Sequence, residues 1–121
     1  MKNIEICGIV TAYTSGKSTM KLPAAVAWKR RVNMSRLMDA KKIIDEALQE
    51  IGKQYADDEH STEKDGQRTV KPEYLPEYLK AQAEIMEQET DVAVQTIRIE
   101  DVGDITLSDD DMNTLAFMIA E

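Results

Sequence analysis

The densest set of chemically capable side chains lies between Trp28 and Arg36, where the sequence reads WKRRVNMSR. Trp28 is the single tryptophan and stands one helical turn before Arg31. That pairing can stack on a flat ring and grip a phosphate, carboxylate or nucleobase through paired N–H bonds. Lys17 and Lys21 precede it, and Lys29, Arg30, Arg36, Lys41 and Lys42 complete a run in which Asp39 is the only acid. The run carries a local charge of +7 inside a 121-residue chain of formal net charge −8, which leaves −15 elsewhere. Overall acidity disfavours general nucleic-acid binding, whereas a concentrated basic segment suits a small anion or an acidic partner surface. The residues expected to bind are Lys17, Lys21, Trp28, Arg30, Arg31, Asn33 and Arg36.

Other constellations carry less. The GKST of Gly16–Thr19 shares the ending of a phosphate-binding P-loop, but that motif needs a glycine five positions earlier, where Thr11 stands, and Gly8 is too far back. The loop remains a possible lip to an anion site, since it leads into a helix N-terminus. His60, the only histidine, neighbours Asp57, Asp58 and Glu59 without the spacing of a calcium loop, so the cluster reads as a solvated charge run. Asp109, Asp110 and Asp111 follow Ser108, and a capping box explains them without a metal. The lone Cys7 excludes an intrachain disulfide and reads as a small core residue. No nucleophile stands beside a base, so a non-enzymatic binding protein with no cofactor and no metal is expected.

The basic cluster must be positioned by a helix over Pro23–Tyr55, begun by a proline suited to the first turn. Leu37, Ala40, Ile44, Ala47, Leu48, Ile51 and Tyr55 recur at three- and four-residue steps and form its buried stripe. Seven residues back from Leu37 and Ala40 stand Arg30 and Asn33, so the seam turns polar in its N-terminal third. Two readings follow for this pair: a ligand site, or a structural pair in which Arg30 meets an acid of a second helix and Asn33 fixes register. A second helix at about 73–89, with Leu75, Tyr78, Leu79, Ala83 and Met86 near one face, closes an antiparallel αα-hairpin. Between them, 56–71 reads as a charged loop that a loose hairpin about Asp65-Gly66 would also fit.

Short strands are expected near the N-terminus, where Ile4 and Ile6 alternate before an apolar run that fits strand or helix, and at about 91–100, where Val92, Val94, Ile97 and Ile99 are β-branched. A capped helix from Ser108, buried through Met112, Leu115, Ala116 and Ile119, ends the chain. The expected class is α+β, mainly α, in one domain over 1–121. No apolar run approaches the eighteen or so residues of a membrane span, and the opening residues do not form a secretory signal.

An ordered set of short motifs spans most of the chain. It comprises Leu22-Pro23, W-x-x-R-x-N at Trp28, Arg31 and Asn33, the long charged helix ending at Tyr55, and Asp65-Gly66. It continues with Glu77-Tyr78, E-x-D-V at Glu89–Val92, Leu107-Ser108 and L-x-F-M-I at Leu115–Ile119. In that order the chain resembles a broad class of small proteins from phages and prophages of Gram-positive bacteria, described mainly as domains of unknown function. The resemblance implies a self-associating accessory protein in the host bacterial cytoplasm, such as a host-defence inhibitor that sequesters an anionic nucleotide-type ligand. It equally allows a blocker of a defence protein or a particle assembly factor, with the acidic surface and the seven methionines as an adaptable contact face.

Overall fold

The computed structural model describes residues 1–15, 21–103 and 109–120, the side chains of Asp110 and Asn113 apart. The longest element is α2, Ala24–Gln54, a 31-residue helix that spans about 46 Å and packs against α1 and α3. Pro23 is its N-cap, with an extended backbone that a helix interior would not accept, and Ala27 N–H closes the first turn on Pro23 C=O. Among the described residues the architecture is α+β and mainly α: helices α1 (Asn3–Ser15), α2, α3 (Leu75–Glu87) and the short α4 (Asp109–Leu115), with one antiparallel hairpin, β1 (Ser61–Lys64) and β2 (Gln67–Val70).

The N-terminal residues fold as α1 and not as the expected short strand. Asn3, Ile6 and Val10 are its buried positions, a three-and-four spacing that only a helix puts on one face. The Ile4–Ile6 alternation was a coincidence of composition, since Ile4 points outward. The start of α1 is tied to the end of α3. Asn3 N–H donates to Gln88 C=O (2.8 Å), its side-chain amide donates to Ile85 C=O (2.7 Å), and Thr90 Oγ1 donates to Asn3 Oδ1 (2.6 Å).

The hairpin falls where the turn chemistry permits. Asp65 and Gly66 both have positive φ, 53° and 79°, which is the requirement of a tight two-residue hairpin turn. Register follows from it, with Lys64 opposite Gln67 and Ser61 opposite Val70. The chain then returns as α3, antiparallel to α2: Tyr78 meets Tyr55 at a ring separation of 5.3 Å, while Ile85 and Met86 reach back to the cluster that holds Ala40 and Ile44. The expected helical hairpin is therefore present.

The expected strand at about 91–100 is corrected. Residues 91–98 are extended but join no sheet, apart from a single parallel bridge between Ile97 and Ile119, and Ile99–Val102 turns into a 3-10 helix. Two apolar clusters result. Ile6, Val10, Met34, Leu37, Ala40 and Ile44 form one between α1 and α2. Val26, Ile97, Val102, Leu115 and Met118 form the other around the first turn of α2. Ser108, the expected cap of the last helix, lies outside the described residues. No described helix is long and apolar enough to cross a membrane.

Leu37 is 0% exposed at the centre of the first cluster, whereas Ile43, two turns on, is largely exposed. Leu37→Ala should lower the unfolding free energy by about 2–5 kcal/mol in urea titration. Ile43→Ala should stay within about 0.5 kcal/mol of the parent.

Candidate functional site

The polar third of α2 divides by direction. Asn33 and the residues one turn to either side are committed to the extended segment. Asn33, 0% exposed, donates its amide to Gln95 C=O (2.9 Å) and accepts from Gln95 N–H (2.8 Å), so one side chain satisfies both main-chain groups of a residue that has no strand partner. The same amide lies 3.7 Å from Met118 Sδ. One turn on, Arg36 donates to Ala93 C=O (2.7 Å), and one turn back Lys29 donates to Thr96 C=O (3.1 Å). Helical spacing thus lines up three donors against an antiparallel run of carbonyls.

Arg30 lies on the adjoining side, between the end of α1 and α4. Its Nη2 donates to Thr114 Oγ1 (2.9 Å) and its guanidinium carbon sits 5.0 Å from the centre of the Tyr13 ring. Burial pushes its pKa below the usual arginine value, while Tyr13 and Asp111 act in the opposite sense. Among the described residues, its buried Nε has no hydrogen-bond partner. Of the two readings open for this pair, the contacts of Asn33 are those of a register-fixing residue, and the partner of Arg30 is a hydroxyl of α4, not an acid of the second helix.

Trp28 and Arg31 face away from this framework. Trp28 is 63% exposed, Arg31 is exposed, and together with Ala24 and Ala27 they line an open groove of about 390 Å³. Small side chains at Ala24 and Ala27 leave the indole and guanidinium standing clear of the helix. Lys21 is exposed just upstream, and Lys17 lies outside the described residues. Of the seven residues expected to bind, Trp28, Arg31 and Lys21 are therefore open to a partner, Asn33 is enclosed, and Arg30 and Arg36 have partners in the chain. Nothing in the sequence paired Arg30 with Tyr13 on a different helix or with Thr114, 84 residues away, because contacts between separate elements leave no periodic trace.

At the far end of α2, His60 Nδ1 lies 2.6 Å from Asp57 Oδ1, which also accepts the His60 main-chain N–H (2.9 Å). The imidazole packs edge-on against Tyr55 and Tyr74 at 5.3 and 4.6 Å. Donor atoms of Asp57, Glu59 and His60 come within 4.8 Å of one another, with Asp57 and Glu59 exposed. The imidazole is thus half-buried between two tyrosines, while the acids of the expected charge run stay exposed beside it.

Asn33→Ala would leave the N–H and C=O of Gln95 without their partner and should cost about 2–4 kcal/mol in denaturant unfolding, against no more than about 1 kcal/mol for Arg36→Ala, whose bond is exposed. The hydrogen bonds from His60 hold the Asp57 carboxyl below its ordinary value. A carboxylate lowered in the folded state adds stability above its unfolded value and loses it as pH falls through the folded one. Asp57→Asn should therefore lower Tm near neutral pH, with the difference closing on acidification below about pH 4. Comparison of the chain with protein-family models, with curated proteins and with solved structures gives no match.

Proposed function

We propose that the chain works by binding, and that it docks an acidic protein surface on the outward face of α2, with Trp28 and Arg31 as the anchors. The observation that carries this is the split of the basic segment: Lys29 and Arg36 are bonded to main-chain carbonyls of the extended segment, while an indole and a guanidinium one turn apart are left exposed without such a partner on a rigid helix. Trp and Arg are the residue types that dominate binding energy in protein interfaces, and a rigid helix loses little entropy when it docks. The groove is open, and a small ligand sequestered from solvent is ordinarily walled on most sides. By analogy with the small phage proteins it resembles, the partner would be a defence factor of the host bacterium.

A nucleotide-type ligand is the second reading, favoured by one feature. The Trp28 ring can stack on a base while Arg31, three residues on, reaches a phosphate.

Trp28 is the only tryptophan, so its emission reports on this face directly. Titration with an acidic peptide such as oligo-glutamate should shift that emission, and Arg31→Ala should weaken the response at least about tenfold without altering Tm. Response to nucleotides alone would favour the second reading. Unchanged emission with every anion, or equal affinity in Arg31→Ala, would contradict both.

A further inference from the structure

The groove at Trp28 and Arg31 is the first part of a longer strip on α2. Ala24, Trp28, Arg31, Ser35, Met38 and Lys42 follow one another at three- and four-residue steps, so they stack along a single face, and all six are exposed. Further along, Met38 and Lys42 line a second open groove of about 420 Å³, together with Val10 of α1. Ala24 and Ser35 are small, while Trp28, Arg31, Met38 and Lys42 are long, which leaves gaps for the side chains of another element. Met38, 40% exposed, supplies an adaptable apolar contact about 15 Å beyond Trp28.

Charge and length describe what fits. Among the described residues neither Arg31 nor Lys42 has a carboxylate partner, whereas Lys41, off the strip, is paired with Asp45 at 2.7 Å. The two cations stand three helical turns apart, about 16 Å. Asp39 lies on the shoulder of the strip, and Asp45 and Glu46 close it beyond Lys42, so the run over 24–42 covers about 27 Å. The opposite side of the same helix shows what holding an extended chain takes, since Lys29, Asn33 and Arg36 bond to the main chain of Thr96, Gln95 and Ala93. The strip has no side-chain amide, and Ser35 is its only hydroxyl. An extended segment laid there would find few partners for its main chain, whereas a helix satisfies its own.

We infer that the partner docked on α2 is an acidic amphipathic helix lying along 24–42, with carboxylates on Arg31 and Lys42 and apolar residues over Trp28 and Met38. The inference rests on the reading of Trp28 and Arg31 as a docking site, and adds to it a length, a secondary structure and a second pair of contacts. Three turns of a helix return nearly to the same side, so acids about eleven residues apart with leucines between them match the strip in register.

Three synthetic peptides titrated into the full chain test this, with Trp28 emission and calorimetry as readouts. The first is a helix of about 18 residues with glutamates and leucines patterned on one face. The second has the same composition with the leucines dispersed around the helix. The third is triglutamate, which at about 10 Å is too short to reach from Arg31 to Lys42. The patterned helix should bind at least about tenfold more tightly than the dispersed one. Lys42→Gln and Met38→Ala should each weaken it about fivefold, with Tm and the triglutamate response unchanged. Equal affinity for the two helices, or full affinity in either variant, would overturn the inference; a triglutamate response that Arg31→Ala removes would then leave the docking site itself standing. Binding of every peptide undiminished in Arg31→Ala would contradict both the inference and the reading on which it rests.

Discussion

One buried amide ties the long helix to the extended segment that follows α3. An extended segment that crosses a helix has no ladder to satisfy its main chain, and each buried group left unpaired costs roughly 1–3 kcal/mol. Asn33 resolves this by offering one donor and one acceptor to Gln95, at the point where α2, the extended segment and Met118 meet. Arg36 and Lys29 extend the arrangement to Ala93 and Thr96, and Ile97 passes on to Met118 and Ala120 through its own N–H and C=O. From Ala93 to Ile97 most main-chain hydrogen bonding is thus supplied by side chains of α2, and a helix takes the place of a neighbouring strand.

This arrangement explains the charge pattern of α2. A helix seam that turns polar looks like a ligand site when viewed as sequence, because functional sites and unusual backbone supports both require donors at helical spacing. Direction tells them apart. Lys29, Asn33 and Arg36 project towards the segment and are used there, Arg30 projects towards Tyr13 and Thr114, and Trp28 and Arg31 project into solvent. The same basic run therefore serves fold and surface together, and the surface part is small and well defined.

The long helix was legible in the sequence because two independent signals agree on it: Pro23 at its start and an apolar stripe of seven residues that ends at Tyr55. The hairpin was half legible, since Asp65-Gly66 marks a turn of known geometry but the flanking strands carry almost no apolar alternation. α1 was not separable from a strand because it is apolar on most sides, so that Asn3, Ile6 and Val10 do not stand out from Ile4 and Ile9. Residues 91–98 show strand composition and adopt extended backbone, yet the partner that makes them so is a set of helix side chains some 60 residues earlier, which alternation does not encode. At the candidate site, Trp28 and Arg31 could be named from residue type and spacing, whereas the diversion of Asn33 and Arg30 into the fold needed tertiary contacts.

The account turns on whether Asn33 clamps the extended segment, and amide hydrogen exchange at Gln95 tests this most directly. Gln95 N–H should exchange slowly, on the scale of the core amides of α2 and of Ile97, although it belongs to no helix or sheet. Exchange at Gln95 as fast as in an unstructured chain, while α2 remains protected, would contradict the account.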